Sequence, residues 1–148
     1  MKTIYITLFL LLLVNAGFAQ TIPYGSLYLG QTPQDNTPKM FPFPNGNGTQ
    51  PIERITISSD NKEIFYSEID RYPPHILRIK CFKYINDKWQ GPLVVFDGYM
   101  APALSIKDSI IYMQKNLNGT AATACTYYSI RNSPGWSIPR RLSSTNLE

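Results

Sequence analysis

Histidine is nearly absent from this sequence: His75, beside Pro73 and Pro74, is the only one in 148 residues. Nucleophilic catalysis needs a base next to the nucleophile, and one histidine in a proline-rich loop supplies no Ser/His/Asp or Cys/His set. A metal site is no better supported, because His75 and two widely separated cysteines have no ligand spacing. A glycine-rich phosphate loop is also missing. We therefore predict no catalytic, cofactor-binding or metal-ligating residue, and we lean against an enzyme.

The acidic residues have structural explanations. Three of them are expected at turns, where an Asp side chain caps the nearby backbone: Asp60, Asp87 and Asp108. Three others could in principle supply the carboxylate pair that glycoside hydrolysis uses: Glu63, Glu68 and Asp70. Charges on the surface of a strand explain these three equally well.

Cysteine is scarce as well, with Cys81 and Cys125 the only two. Export would permit them to form a disulfide. Their spacing of 44 residues (125 − 81) differs from the 47-residue spacing described below, so they are not equivalent positions of a repeat. We favour two free, half-buried thiols.

The chain also lacks a dense cluster of positive charge. Its formal net charge of +4 is spread along the sequence. The two side chains of Arg140-Arg141, the densest basic spot, would point to opposite faces of a strand. Nucleic-acid-binding proteins collect Lys and Arg on one face, so we expect no nucleic-acid partner.

Residues 1–19 have the layout of a secretory signal peptide. Lys2 gives a positive start, and the apolar run of 11 residues from Ile4 to Val14 follows. Gly17-Phe18-Ala19 then places small residues at positions −3 and −1 of a cut before Gln20. The run is too short to span a membrane, and no cysteine follows the cut for a lipid anchor. We predict export to the periplasm or beyond, without a membrane span after cleavage. An uncleaved amphipathic anchor is the alternative.

Residues 20–51 are an irregular Pro/Gly-rich lead-in. Six prolines exclude a helix: Pro23, Pro33, Pro38, Pro42, Pro44 and Pro51. We expect the segment to lie over the main body, held there by four aromatic side chains that bury apolar area: Tyr24, Tyr28, Phe41 and Phe43.

A short phrase occurs twice in the remaining chain. Lys88-Trp89-Gln90-Gly91-Pro92 returns as Gly135-Trp136-Ser137-Ile138-Pro139, and the two tryptophans, the only ones in the chain, are 47 residues apart. The strand signals around the phrase repeat too, with Ile64-Phe65-Tyr66 matching Ile110-Ile111-Tyr112 at an offset of 46 (110 − 64). Repeats of this length are typical of stacked or radial folds. We interpret each tryptophan as opening the last strand of a unit, with the proline where that strand can spare an amide donor.

Each copy contains four short strands separated by turns, and no segment after residue 19 has the 3.6-residue period of a helix. In residues 52–98 the predicted strands are Arg54–Ser58, Glu63–Ser67, Ile76–Tyr84 (with a bulge near Cys81 and Phe82) and Trp89–Phe96. In residues 99–148 they are Ala103–Ile106, Ser109–Met113, Ala121–Arg131 and Trp136–Leu142. This pattern predicts an all-β fold of two four-stranded antiparallel propeller blades. A single antiparallel sandwich is the competing interpretation.

The first hairpin resembles those of WD40-like (PD40-type) propeller repeats in secreted bacterial proteins related to TolB. Ser58-Ser59-Asp60-Asn61-Lys62 is similar to their Ser-Pro-Asp-Gly-Lys turn, with Ser59 replacing the proline and Asn61 the glycine. The second copy, at Ser105-Ile106-Lys107-Asp108, departs further, whereas the Trp-Ser-x-Pro phrase is typical of the family. The resemblance covers residues 28–148 and implies an exported β-propeller of about six blades, of which this chain supplies two.

Two blades leave sheet faces and edges uncovered, because each blade of a propeller is covered by its neighbours. We therefore expect a truncated relative or a chain that completes its ring by self-association through the uncovered faces. The predicted function is an exported, non-catalytic binding module with a protein or carbohydrate partner. The alternative is the accessory remnant of a secreted hydrolase or lyase acting on glycans or peptides. For most of the aromatic residues in the strands, core packing is a better explanation than a binding surface.

Overall fold

The computed structural model describes Leu29, residues 36–37, residues 48–116 and residues 124–143. The predicted signal peptide (residues 1–19) and most of the predicted lead-in (residues 20–51) lie outside these ranges. Within them the chain is all-β, as predicted: nine strands form two antiparallel sheets, and no helix is present. None of these segments forms a helix of the length and apolarity that crossing a bilayer requires.

Sheet 1 is a four-stranded meander in which the strands pair in chain order. Its strands are β1 (Thr49–Ile57), β2 (Glu63–Asp70), β3 (Leu77–Ile85) and β4 (Lys88–Asp97). Asn86 and Asp87 form the two-residue loop between β3 and β4, with φ of 50° and 59°. Two consecutive positive φ values define the type I′ turn, whose twist matches that of the strands it joins. The predicted bulge near Cys81 is confirmed, because the pairing of β3 with β4 slips by one residue there.

Sheet 2 contains β5 (Met100–Leu104), β6 (Ile110–Asn116) and β7 (Ala124–Asn132), followed by β8 (Gly135–Trp136) and β9 (Arg140–Arg141). The last two strands are short and both pair with β7. The single strand predicted over Trp136–Leu142 is therefore wrong in detail. Pro139 has no amide hydrogen with which to continue the ladder. Ser137 fills the break, since its amide donates to the carbonyl of Ile130 at 2.8 Å and its hydroxyl accepts from the amide of Ile130 at 3.0 Å.

The described core lies between the two sheets. Sheet 1 contributes Phe65, Ile79, Cys81 and Phe96, and sheet 2 contributes Ile111 and Met113. Alternating side chains of β2 and β6 point into this layer, as the two-residue period of a strand requires. Burying apolar side chains at about 25 cal/mol per Å² supplies the main attraction between the sheets. Two bonds cross the layer at β5, where the amides of Ala101 and Leu104 donate to the hydroxyls of Ser67 (2.7 Å) and Thr56 (3.3 Å).

The two sheets repeat one another at an offset of 47 residues rather than 46. The amide of Ser58 donates to the carbonyl of Glu63, and the amide of Ser105 donates to that of Ile110 in the same way. The offset is 47 at both partners of this pair (105 − 58 and 110 − 63). Ile64 is therefore equivalent to Ile111, and the predicted match of Ile64 with Ile110 is wrong by one residue. A shift of one residue exchanges the two faces of a strand, and at the 47-residue offset Ile111, which faces sheet 1, corresponds to Ile64 on the outer face of sheet 1, so the two sheets stack in the same orientation.

The two tryptophans occupy equivalent positions on different layers. Trp136 lies between the sheets, with its ring centroid 5.9 Å from Phe65 and 6.3 Å from Phe96. Trp89 lies on the opposite face of sheet 1, against the buried cluster that contains Tyr66 and Phe82. Trp136 thus lies on the face of sheet 2 that packs against sheet 1, and Trp89 lies on the equivalent face of sheet 1, which points away from sheet 2. Trp89 lies at the start of β4, as predicted, whereas Trp136 ends the two-residue strand β8 and does not open the last strand, which is β9.

The outer face of sheet 1 is buried at its centre, whereas Ile55, Ile57 and Val94 on the same face are 50%, 52% and 54% exposed. Ile64, Tyr66 and Phe82 are at most 8% exposed, and Leu29 packs against them. Glu68 is fully buried on this face and forms an ion pair with Lys80. Leu29 belongs to the predicted lead-in, and its contact agrees with the expectation that this segment lies over the main body.

Candidate functional site

A cleft of about 820 Å³ opens between the two sheets at the end where their hairpins turn. Four pieces of chain line it: residues 58–63 and 83–85 from sheet 1, and residues 107–109 and 131–135 from sheet 2. Its volume falls within the range of about 300–1,000 Å³ that small-ligand sites occupy. Because both sheets end here, side chains that are far apart in sequence meet in one place.

Ser58 builds the sheet 1 side of the cleft. Its buried hydroxyl accepts hydrogen bonds from the amides of Lys62 (3.2 Å) and Glu63 (2.9 Å) and donates to Asp60 Oδ1 at 2.6 Å. The bond from Ser58 and one from the amide of Lys62 at 3.0 Å hold the pKa of Asp60 below its ordinary value. Asn61 has φ of 58°, a conformation that Asn tolerates better than most residues. The prediction that Asp60 caps a turn is confirmed.

Asp108 builds the sheet 2 side and reaches across to sheet 1. It has φ of 53° and stands 47 residues after Asn61, so the two turns are equivalent. Its Oδ2 accepts from both the amide (2.7 Å) and the hydroxyl (2.6 Å) of Ser59. Hydrogen bonds to an ionised acceptor are stronger than neutral ones, so this pair joins the tips of the two hairpins.

Glu63 is the centre of a charged group at the base of the cleft. One carboxylate oxygen lies 3.1 Å from Lys83 Nζ, and the other lies 2.6 Å from Arg131 Nη2. Arg131 also donates from Nε to the carbonyl of Asp108 at 2.8 Å, and its guanidinium stacks on Trp136 at 4.3 Å. The two hydrogen-bond partners of Arg131 belong to different sheets, Glu63 to sheet 1 and Asp108 to the β5–β6 turn of sheet 2. The position of Arg131 therefore depends on how the two sheets pack.

The charges that line the cleft are not equally available to a ligand. All three carboxylates are engaged within the protein, as described above for Asp60, Glu63 and Asp108. Lys62 and Lys107 are exposed, and neither ammonium group forms an ion pair with a residue of the described ranges. The lining side chains carry four positive and three negative charges, a net charge of +1 (4 − 3), and each wall exposes one lysine.

One aromatic residue, Tyr84, is among those that line the cleft. Its ring packs against Trp89 with centroids 5.3 Å apart. In sheet 2 the equivalent of Tyr84 is Arg131, 47 residues later, and it covers Trp136 in the same way. Tyr84 thus covers a tryptophan, and no other aromatic residue of the described ranges lines the cleft.

The reactive residue types singled out in the sequence lie outside the cleft. His75 is exposed, and its Nδ1 lies 2.9 Å from the carbonyl of Asp70. Cys81 and Cys125 are both free, as predicted, although Cys81 is fully buried rather than half-buried. Burial raises the pKa of the Cys81 thiol to about 12, so it is protonated and a poor nucleophile at neutral pH.

The structure separates Glu63 from the other two carboxylates that might have formed a hydrolytic pair, whereas Glu68 and Asp70 are alternate residues of β2 and lie on one face of sheet 1. Glu63 faces sheet 2, whereas Glu68 lies on the opposite face of sheet 1 with Lys80, and Asp70 pairs with Arg78 at 2.7 Å. Arg78 holds the pKa of Asp70 below its ordinary value. Within the described ranges, no group of three His, Cys, Asp or Glu side chains has a metal-binding arrangement.

The sequence did not identify Arg131 or the two lysines as members of a site. Arg131 is 68 residues from Glu63, and no local pattern connects them. The available signal was the repeat, because aligning the hairpins at 47 residues places both turns at one end.

No family model, curated protein or solved structure matches the chain significantly.

Proposed function

We propose that the chain is an exported, non-catalytic binding module of the β-propeller type, and that the cleft between its sheets binds an acidic segment of a partner protein. The propeller interpretation is supported by two consecutive meanders that repeat their hydrogen bonds at 47 residues and pack face against face. The predicted signal peptide supports export.

One observation carries the choice of ligand. The carboxylates of the cleft are bonded internally, whereas neither Lys62 nor Lys107 forms a salt bridge within the described part of the chain. An acidic ligand that spans the cleft would bring a carboxylate near each lysine and offset the net charge of +1 on the lining side chains. Such complementarity raises the association rate and selects against neutral or basic ligands.

A protein segment fits this cleft better than a glycan. Sugar rings bind well where a flat aromatic face is free to stack, and Tyr84 already packs against Trp89. Asn132, Ser133 and Pro134 in the turn between β7 and β8 are exposed at the cleft, and an extended acidic peptide can contact them there. We therefore assign the partner as a protein with an acidic surface loop or tail.

The test is a titration of the purified protein with a fluorescent hexaglutamate peptide. Replacing both lysines (Lys62→Ala with Lys107→Ala) should weaken binding about tenfold or more, which corresponds to about 0.7 kcal/mol for each charge contact. The matched control removes two exposed positive charges that do not line the cleft, at Arg54 and Arg140, and should change the affinity less than twofold. Raising the salt concentration should weaken binding, because exposed charges are screened.

Two results would contradict this proposal. An equal loss of peptide affinity in the double lysine variant and in the control variant would mean that only the net charge of the protein matters. The other result is a hexagalacturonate oligosaccharide that binds more tightly than the peptide and loses this affinity when both lysines are replaced; that result would assign the cleft to acidic glycans.

A further inference from the structure

The centre of the outer face of sheet 1 is shielded from water, although no strand of the described ranges lies over it. Tyr66 and Glu68 are fully buried there, and Ile64 and Phe82 are nearly so. Leu29 packs against this cluster and is the one described apolar residue from outside sheet 1 that does so. Its φ of 54° is uncommon for a leucine, and such a conformation persists only where the surroundings hold it. The contact of Leu29 with sheet 1 is therefore a defined part of the fold.

This cover is limited to the centre of the face. Around it, Ile55, Ile57 and Val94 are about half exposed. The cover also leaves a polar atom unsatisfied, because Trp89 Nε1 is buried without a hydrogen-bond partner among the described residues. A buried donor without an acceptor lowers the cost of opening the contact to water. Without Leu29, the centre and the margin of the face would together expose a broad apolar surface of the kind that binds another protein.

The 47-residue repeat identifies a partner for this surface. Ile64 and Trp89 correspond to Ile111 and Trp136, with which sheet 2 packs on sheet 1. Because both sheets stack in the same orientation, the outer face of sheet 1 is the counterpart of the face with which sheet 2 docks. The outer face of sheet 2 is in turn the counterpart of the face that sheet 1 presents to sheet 2. Each chain thus carries the two halves of its internal contact again, one half on each outer face.

The two outer faces match chemically at the position of the internal ion pair. Inside the molecule, Glu63 of sheet 1 binds Arg131 of sheet 2 at 2.6 Å. In a contact between two copies, the equivalent residues are Ile110 on sheet 2 of one copy and Tyr84 on sheet 1 of the other, at the same 47-residue offset. Both members of the charged pair are replaced, so the contact buries no unpaired charge at this position. Ile130, which pairs with Ile110 and is 46% exposed, extends the apolar surface beside it.

We propose that the lead-in, through Leu29, caps sheet 1 and thereby blocks a head-to-tail contact in which sheet 2 of one copy packs on sheet 1 of the next. Such a contact joins two different faces, so it continues from copy to copy and forms a ring or a filament rather than a closed two-fold dimer. The wild-type protein should be monomeric, and moving Leu29 off the face should start the assembly. The self-association expected from the sequence is thus held back by the chain itself.

The first test removes the contact of Leu29 with sheet 1 in the purified protein. A carboxylate is not stable in an apolar cluster, so Leu29→Asp should lift the cap. Asn36→Asp adds a negative charge at an exposed position of the lead-in and is the matched control. With Trp136→Phe in every protein compared, Trp89 is the only tryptophan. Its emission should shift to longer wavelength and its quenching by acrylamide should increase in Leu29→Asp, and to a smaller extent in Leu29→Ala, but not in Asn36→Asp.

The second test is sedimentation velocity from about 1 to 200 µM, with Trp136 intact. The wild type and Asn36→Asp should stay monomeric, whereas Leu29→Asp should shift to species larger than a dimer. Adding Ile130→Glu, on the outer face of sheet 2, should return Leu29→Asp to the monomer. Adding Ile138→Glu instead, at a side chain that is 85% exposed between β8 and β9, should not. Slow thiol labelling of Cys81 in each variant shows that the layer between the sheets is intact.

Four results would overturn the proposal: oligomers of the wild type, unchanged quenching of Trp89 in both Leu29 variants, a monomeric Leu29→Asp protein whose Cys81 stays protected, or assemblies that persist with Ile130→Glu. Assembly that ends at a dimer would contradict it too. If Leu29→Asp exposes Cys81, Leu29→Ala takes its place in both tests. The double lysine variant of the cleft should keep Trp89 shielded and remain monomeric, so the cap and the proposed cleft function can fail independently.

Discussion

Arg131 Nη2 lies 2.6 Å from Glu63 Oε2 and thereby connects β7 of one sheet to the start of β2 in the other. The same guanidinium covers Trp136, which packs on Phe65 and Phe96. This contact links the charged base of the cleft with the apolar layer between the sheets, so the shape of the cleft depends on how the sheets pack.

The first prediction concerns the Glu63–Arg131 pair. In a double-mutant cycle with Glu63→Ala and Arg131→Ala, we expect a coupling free energy of about 1 kcal/mol, because both side chains are partly exposed and Glu63 keeps Lys83 as a second partner. Urea unfolding of the four proteins measures it. Arg131→Ala should also lose the stacking on Trp136 and should therefore destabilise more than Glu63→Ala does. Additive effects of the two substitutions would show that the pair does not hold the sheets together.

The second prediction concerns Gly91, in the first copy of the tryptophan phrase. It has φ of +124°, and a Cβ added there would lie 2.7 Å from the carbonyl oxygen of Cys81. Gly91→Ala should destabilise the protein by about 2–4 kcal/mol, since both the conformation and the space exclude a side chain. Gly135→Ala is the matched control, because nothing lies within 4 Å of its added Cβ, and it should change the stability by less than about 0.5 kcal/mol. Equal effects at the two glycines are the result that this explanation does not allow.

The third prediction concerns thiol reactivity. Cys81 is fully buried with a raised pKa, and Cys125 is partly exposed. At pH 8, a disulfide-exchange reagent such as dithiobis(nitrobenzoate) should label one thiol of the native protein quickly and both in urea. Mass spectrometry of the labelled peptides should place the fast site at Cys125. Rapid labelling of Cys81 in the native state would show that the layer between the sheets opens readily.

The fourth prediction concerns alkaline pH. Burial raises the pKa of Cys81 to about 12, and burial together with nearby Glu68 raises the pKa of Tyr66. Both groups bind their protons more tightly in the folded state than in the unfolded state. Their contribution to stability is complete below the ordinary pKa values, near 9 for Cys and 10 for Tyr, and is lost as the pH rises through the folded values. The free energy of unfolding should thus fall as the pH is raised from 9 to 11.

A control for the alkaline effect is the variant in which both groups are removed, Cys81→Ala with Tyr66→Phe. It is expected to be less stable at pH 7, because Cys81→Ala removes a buried sulfur from the layer between the sheets. Its stability should nevertheless decline less steeply between pH 9 and 11 than that of the wild type. An identical decline in both proteins would assign the alkaline effect to other groups.

Local pattern predicted most of the strands, and the reasons for the exceptions are physical. The alternation in Ile64-Phe65-Tyr66 and the turn residues before it placed the β1–β2 hairpin correctly. Ile106 was predicted to end a strand, but it lies in the β5–β6 turn and is 97% exposed. An apolar residue beside a tight turn has the same local signal in either position. The 46-residue match failed because Ile110 and Ile111 are both isoleucine, and identity alone cannot choose between two adjacent isoleucines.

The candidate site was less predictable than the strands. Asp60 and Asp108 were correctly placed at turns. Asp60 bonds to Ser58 within its own turn, whereas the bond of Asp108 to Ser59 of the other sheet depends on how the sheets meet. The same holds for Arg131, whose contact with Glu63 spans 68 residues. Such contacts arise from tertiary packing, and no periodicity in a single sequence records them.

The most direct test of the binding account is to map the peptide on the protein by amide chemical shifts in solution. Adding hexaglutamate to the ¹⁵N-labelled protein should perturb the turns that line the cleft, at residues 58–63, 107–109 and 131–135. The outer face of sheet 2, with Tyr112 and Tyr128, should remain unchanged. Perturbations centred on that face, or none at saturating peptide, would contradict the assignment of the cleft as the binding site.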